Sequence, residues 1–210
     1  MLRSCLLFDL DGTLIDSLPD LATAVNLLRA DCDLPPLTIS PVRKFVGDGA
    51  SALVQRSLPE GSFDQSKLTA FLTYYQQHLS DLSNPYPGIR EMLEQLHETP
   101  LAVVTNKPFQ MAKKLLEDLE LSKYFQLVLG GDSCPQKKPH PASLLTALQQ
   151  LNADNQKSLM IGDHHTDLRA AIAAGTPACF CSWGYGNKGG EDPAFTAASV
   201  ADLQQILIHR

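Results

Sequence analysis

The chain has 210 residues, which suits one medium domain or a core with a small insert, and 44% hydrophobic content is ample for a packed interior. A net charge of -6 without any basic run argues against a nucleic-acid surface, and no apolar stretch approaches the ~18 residues of a membrane helix. Residues 1–4 leave no room for the charged and apolar regions of a signal peptide, so the expected location is the cytoplasm. Five cysteines, odd in number and scattered, argue against a disulfide framework. Cys179 and Cys181 read as buried small hydrophobes on one face of a strand, since no further Cys or His pair completes a zinc site.

Residues 4–8 form an apolar run that predicts a buried first strand, and it leads directly into Asp9, Asp11 and Gly12. Ser17 with Asp20 makes a capping-box pattern ahead of a helix carrying Leu18, Leu21, Val25, Leu28 and Cys32, which Leu34-Pro35-Pro36 ends. Ser40-Pro41 predicts a second helix start, followed by Val42, Phe45 and Val46. Gly47-Asp48-Gly49 interrupts, and an apolar stripe resumes at Ala50, Leu53, Val54 and Leu58. Asp64 then caps a helix whose Leu68, Phe71, Leu72, Tyr75 and Leu82 share a face. Residues 17–83 contain no convincing strand and read as a small all-helical unit.

From Pro85 the pattern alternates. A short helix (Ile89, Met92, Leu93, Leu96) precedes the strand run Leu101-Ala102-Val103-Val104, and Pro108 starts a helix through Met111, Leu115, Leu116 and Leu119. The run Leu127-Val128-Leu129 is followed by a helix with Leu144, Leu145, Leu148 and Leu151, and then by the strand Leu159-Met160-Ile161. A helix with Leu168, Ala171 and Ile172 stops at Gly175, Ala178-Cys179-Phe180-Cys181 is a fifth strand, and Ser199 with Asp202 boxes a last helix. Such alternation predicts an α/β fold, a doubly wound parallel sheet (a Rossmann-like core) with a small inserted all-helical cap after its first strand. The expected division is 1–16 with 84–210 as core and 17–83 as cap.

Sheets of this kind bind ligands outside the carboxyl ends of their strands. The polar residues fall there: Asp9 and Asp11 after strand one, Thr105, Asn106 and Lys107 after strand two, Lys138 in the loop after strand three, and Asp163 with Asp167 after strand four. Each alone has an ordinary explanation as a cap, a turn residue or a solvated charge. Two carboxylates so close repel and hold protons more tightly unless a cation sits between them or one stays protonated, and both escapes point to chemistry.

Phe8-Asp9-Leu10-Asp11-Gly12-Thr13-Leu14-Ile15-Asp16-Ser17, Val103-Val104-Thr105-Asn106, Lys138-Pro139 and Gly162-Asp163-His164-His165-Thr166-Asp167 resemble, in order, the four motifs of the haloacid dehalogenase superfamily. More narrowly, Thr105-Asn106-Lys107-Pro108, Gly130-Gly131-Asp132 and Lys137-Lys138-Pro139-His140-Pro141 are similar to bacterial phosphoglycolate phosphatases. Gly47-Asp48-Gly49-Ala50 resembles the cap turn that faces the site in those enzymes. The resemblance implies a phosphatase acting on a small phosphorylated metabolite, as monomer or homodimer, with Mg2+ as cofactor. It assigns the side chains of Asp9 and Asp163 and the carbonyl of Asp11 to the metal, with Asp167 one layer behind. Asp9 is then the nucleophile that forms an aspartyl-phosphate, and Asp11 is the acid and base. Asp9, Leu10, Asp11, Thr105, Asn106 and Lys138 hold the phosphoryl group, with Pro141 keeping the Lys138 loop near the sheet and Gly12 letting backbone approach closely. Catalysis of this class is mostly charge neutralisation and positioning, which these residue types supply.

Alternatives on the same core are a pyrophosphatase or phosphosugar phosphatase. A dehalogenase is disfavoured by Asp11, and a phosphoglucomutase by Asp20-Leu21 and Ala50 where a His and an Arg are usual. A non-enzymatic binding protein is expected to have lost a charged motif residue, and none is lost. His164-His165-Thr166 departs from the narrower pattern; the two histidines read as polar first-turn residues, or as bonding partners of Asp163 or Asp167, or as recruiters of a softer metal. Arg43, Lys44 and Lys107 are candidates for holding a substrate carboxylate, Arg43 and Lys44 reading otherwise as solvated cap charges. Trp183 and Gly184-Tyr185-Gly186-Asn187 form an aromatic-glycine turn bordering the cap or a plain loop. Hinges are expected near Asp16-Ser17 and Asn84-Pro85.

Overall fold

Short apolar runs buried on both faces dictate the centre of the molecule. The computed structural model describes residues 3–208, so residues 1, 2, 209 and 210, assigned to the core by sequence, lie outside the described residues. Strand β1 (Leu6–Phe8) runs parallel to β4 (Leu101–Val104) on one side and to β6 (Leu159–Gly162) on the other, with Phe8 opposite both Val103 and Ile161. Outside these lie β5 (Leu127–Leu129) next to β4, and β7 (Ala178–Cys181) then β8 (Phe195–Ala197) next to β6. All five pairings are parallel, as the alternating pattern predicts. The sequence reading finds five of the six strands; β8, half-buried and at the sheet edge, is the one it misses.

Alternation along each strand divides the interior. Leu6 and Phe8 face one apolar cluster and Leu7 the other; Cys179 and Cys181 share the first, as two residues of one strand face must. Helices α7 (Ala142–Gln150) and α8 (His165–Ala174) cover the second cluster, through Leu144, Ala147, Leu148, Leu168 and Ala171. The first cluster takes α5 (Ile89–Gln95), α6 (Phe109–Asp118) and α9 (Val200–Ile208), and continues without a break into the inserted helices. Each large apolar side chain buried there contributes about 1.5–3 kcal/mol.

Four helices lie between the two visits to the core: α1 (Leu18–Asp31), α2 (Ile39–Arg43), α3 (Ala50–Ser57) and α4 (Gln65–Gln77). No described residue from 17 to 83 is in a strand, as expected. At the two crossing points, β2 (Ile15–Asp16) and β3 (Asn84–Pro85) pair antiparallel, a two-residue ribbon too short to leave a periodic signal. Asp64 caps α4 as predicted, accepting from Lys67 N at 3.0 Å, and Gly175 closes α8 in the left-handed conformation.

Three local expectations are corrected. Ser17 and Asp20 do not form a capping box: Ser17 makes no cap bond, and buried Asp20 accepts instead from Leu82 N, Ser83 N and Ser83 Oγ, which pins the returning chain beside α1. Helix α2 begins at Ile39 rather than at Ser40-Pro41, because proline suits the first turn as well as the first position. Leu82 lies beyond α4 and is exposed; Leu79 is buried instead. No helix among the described residues is long and apolar enough to cross a membrane.

Candidate active site

The carboxyl ends of three adjacent strands, β4, β1 and β6, deliver Thr105, Asp9 and Asp163 to one crevice, all buried. Asp9, Asp163 and Asp167 each place a carboxylate oxygen within 4.8 Å of the others. Lys138, carried by the loop after β5, reaches between them: its Nζ lies 3.0 Å from Asp9 Oδ1 and 2.6 Å from Asp167 Oδ1, and donates to the Val104 carbonyl at 2.6 Å. One ammonium thus pairs with two of three buried acids, and the remaining negative charge asks for a cation. Burial, opposed by Lys138 and reinforced by Asp167, pushes Asp9 up to about 6. Burial together with Asp9 and Asp167 pushes Asp163 up to about 8.

The second oxygens are tied down. Asp163 Oδ2 accepts from the backbone N–H groups of Tyr185 at 2.7 Å and Gly186 at 3.0 Å, and Thr13 Oγ1 donates to Asp163 Oδ1 at 3.2 Å. Asp167 is engaged at both oxygens, by Lys138 and by His164 N at 3.0 Å, so it holds its neighbours in place instead of offering a free edge. Gly12 adopts φ +85°, and a Cβ there would lie 2.5 Å from Asp163 Oδ2, so this close approach needs glycine. The aromatic-glycine turn after β7 is therefore part of the site: Gly184 also packs against Asp163 and Gly12.

Asp11 turns toward the inserted helices. Its Oδ1 accepts from Ser17 Oγ at 2.5 Å and from Lys107 Nζ at 2.9 Å, and its Oδ2 lies 3.2 Å from the same ammonium. Lys107 Nζ also donates to the Tyr75 hydroxyl and sits 4.3 Å from that ring's centroid. Burial pulls Lys107 below the ordinary lysine range, against the upward pull of Asp11. Sequence reasoning placed Lys107 at the site but missed Ser17, which it read as a cap, and Tyr75, which it read as one member of an apolar stripe. Thr13 was legible only as part of the motif.

Asn106 differs from expectation. Its Nδ2 donates to Gly47 O and to Lys138 O, both at 2.9 Å, so the amide joins the cap turn to the Lys138 loop and has no hydrogen left for a phosphoryl oxygen. Arg43 is exposed but not merely solvated: it donates to the Gly184 carbonyl and lies 5.9 Å from the Tyr185 ring. Lys44 is exposed. His164 is buried and forms a capping box with Asp167 at the start of α8, its Nδ1 3.0 Å from Thr166 Oγ1. Burial, helped by the adjacent His165, lowers His164 to about 4, so it is neutral near pH 7.

Above Asp9 lies a cavity of about 50 Å3, lined from below by Asp9, Asp11, Thr105 and Lys107 and from above by apolar residues including Leu21, Ala50, Leu53 and Phe71. Lys107 is the one cation among the described residues that line it.

Comparison with known proteins agrees with this geometry. A family model described as haloacid dehalogenase-like hydrolase matches residues 6–181. The chain is 38% identical over 209 residues to a phosphoglycolate phosphatase of Chromobacterium violaceum, covering 95% of this chain and 94% of that one. It is 40% identical over 189 residues to a phosphoglycolate phosphatase of Neisseria meningitidis, covering 86% of this chain and 80% of the relative. A crystal structure described as a predicted phosphoglycolate phosphatase from Haemophilus somnus superposes with a TM-score of 0.90 at 32% identity, covering 97% of both chains. With the strand-end carboxylates, the buried lysine and this similarity along nearly its whole length, the chain belongs to the haloacid dehalogenase-like hydrolases.

Proposed function

We propose that the protein is a Mg2+-dependent phosphatase that hydrolyses 2-phosphoglycolate to glycolate and phosphate. The observation that carries the reaction class is the convergence of Asp163, Asp167 and Lys138 on Asp9, which lines a cavity walled by the inserted helices. The leaving group follows from two supports. Relatives at 38% and 40% identity carry that name, and the cavity of about 50 Å3 is small. At roughly 10–15 Å3 per water-sized position it holds about three to five such positions, room for a small leaving group. Leu21 and Ala50 line the same cavity and offer no charge to the second phosphate of a mutase substrate.

Hard carboxylate oxygens with excess negative charge fit Mg2+. In this reading Asp9, Asp163 and the Asp11 carbonyl hold the ion, with Asp167 and the backbone of Tyr185 and Gly186 fixing them. The ion, when bound, neutralises phosphoryl charge that would otherwise repel a carboxylate. Asp9 attacks phosphorus from a fixed position at the end of β1. Lys138 and the Thr105 hydroxyl hold phosphoryl oxygens. The Asp11–Lys107 pair acts first as one acid and then as one base: Asp11 relays a proton from the buried ammonium to the departing alkoxide, which leaves a carboxylate beside a neutral amine, and the pair then takes one proton back from the attacking water. Lys107 is also the cation within reach of a substrate carboxylate. Residues 17–83 form the cap that excludes bulk water, and 1–16 with 84–210 form the catalytic core.

The test is phosphate release from a panel of phosphorylated small metabolites, with Mg2+ and with EDTA, alongside Asp9→Asn. A narrow Mg2+-dependent preference for 2-phosphoglycolate, lost in Asp9→Asn, is expected. Preference for a sugar phosphate or pyrophosphate would overturn the leaving group and keep the mechanism. No release from any compound, with folding intact and metal bound, would overturn the reaction class.

A further inference from the structure

A second group of metal-ligating side chains lies outside the Asp9 cluster. Asp48 stands in the turn between α2 and α3, and His164 and His165 begin α8; one ligand atom of each lies within 4.8 Å of the other two. They come from opposite sides of the cap–core boundary. The two imidazole centroids are 4.0 Å apart, so the rings are already gathered.

Each residue has a ligand atom to spare. His164 Nδ1 accepts from Thr166 N at 3.4 Å and lies 3.0 Å from Thr166 Oγ1; in the tautomer that binds a metal, Nδ1 gives up the longer bond and donates to that hydroxyl, and Nε2 carries the lone pair. An outer partner of this kind, fixing the far nitrogen, is the usual companion of a metal-binding histidine. The His164 ring lies against the cap turn: a Cβ on Gly47, which has φ +120°, would stand 2.7–2.8 Å from its Cδ2, Nε2 and Cε1. Asp48 uses Oδ2 for Arg56 and keeps Oδ1. His165 is only half-buried, which leaves an aqueous route to the site.

Two imidazoles and one carboxylate form the donor set that zinc and its first-row neighbours prefer and that Mg2+ does not seek. A tetrahedral ion with bonds of ~2.1 Å sets its ligands about 3.4 Å apart, a contraction that side-chain rotation supplies, and leaves a fourth position for water. We propose that Asp48, His164 and His165 form a binding site for a zinc-class divalent ion that clasps the cap turn to the start of α8 and holds the cap shut.

The clasp would add a strong link where weaker ones exist. Asn106 Nδ2 already holds Gly47 O, and Lys137 donates to the Asp48 carbonyl. Because the cap must open to exchange substrate and product, an ion that bridges the boundary slows turnover without touching Asp9. The site does not depend on the identity of the leaving group, and binding rather than catalysis is its primary readout.

The experiment titrates Zn2+ calorimetrically into the full chain under saturating Mg2+, for wild type, His165→Gln and Asp48→Asn, with hydrogen exchange of residues 45–50 followed in parallel. Expected are one zinc per chain in wild type, affinity at least tenfold weaker in both variants, and slowed exchange of the cap turn on zinc binding in wild type alone. His165 and Asp48 lie near the surface, so both variants fold, and circular dichroism verifies it. No zinc uptake beyond Mg2+, uptake equal in all three proteins (zinc replacing Mg2+ at the Asp9 cluster), or uptake without protection of the turn would each overturn the proposal.

Discussion

Lys138 is the keystone of the crevice, and Lys138→Met tests the electrostatic account most directly. Its ammonium is almost fully buried and lies 3.0 Å from Asp9 and 2.6 Å from Asp167. At an effective dielectric near 20 each contact carries about 5–6 kcal/mol of Coulomb attraction, much of it offset by the cost of bringing the ions out of water. Removing one partner of such a buried group forfeits the attraction and keeps the cost, a loss of about 3–5 kcal/mol. In a chain of this size that corresponds to a Tm lower by roughly 6–20 °C. The assay is thermal and urea unfolding in EDTA. With Mg2+ the deficit shrinks, because the ion supplies the cation the acids lack. Asp9→Asn added to Lys138→Met restores part of the loss in EDTA by removing one of the stranded charges. A metal-free Lys138→Met protein within about 1 kcal/mol of wild type would refute the reasoning.

Three further outcomes follow from the same geometry. Asp9 and Asp163 bind protons more tightly folded than unfolded, raised to about 6 and about 8; without metal, stability therefore falls as pH climbs from about 4 to about 8. The Tm difference between Mg2+ and EDTA samples is accordingly expected to widen across that window, and a flat difference would contradict it. Ser17→Ala removes the hydrogen bond to Asp11 but no helix cap, so kcat drops about 10- to 100-fold, the value of a bond to a charged group, while Tm barely moves. The reverse pattern, lower Tm with kcat intact, would restore the capping role. Gly12→Ala forces a side chain against Asp163 from a left-handed backbone, and Mg2+ affinity measured calorimetrically falls at least tenfold; normal affinity would show that Asp163 is not a ligand.

The sheet was legible because its inner strands are buried on both faces, which leaves continuous apolar runs such as Leu101-Ala102-Val103-Val104. Strand β8 was not, since Phe195-Thr196-Ala197 alternates on an edge and is too short for its period to stand out from a loop. The acids at the strand ends were readable from motif and position together. What the sequence left ambiguous was the use of each polar group. A serine followed three residues later by an acid has the same spelling whether it caps a helix or serves Asp11. Tyr75 shows the same limit: its ring belongs to the apolar stripe of α4, while its hydroxyl reaches Lys107 across a fold that spacing along the chain does not encode. Asn106 was expected on the phosphate because its motif puts it there, and the Gly47 carbonyl, 59 residues away in sequence, takes it instead.

The ribbon formed by β2 and β3 sets Asp16 directly opposite Asn84. The inserted helices therefore leave and rejoin the sheet through one pair of hydrogen-bonded neighbours, and to β1 the whole segment is topologically no more than the tip of a hairpin. A segment attached in this way is modular. It can lengthen, shrink or be exchanged for another without shifting the register of Leu6–Phe8 against its partners, and so without moving Asp9. Reactivity is not wholly insulated from such exchange, because Ser17 and Tyr75 belong to the insert and hold Asp11 and Lys107, so a replacement must carry equivalents of both.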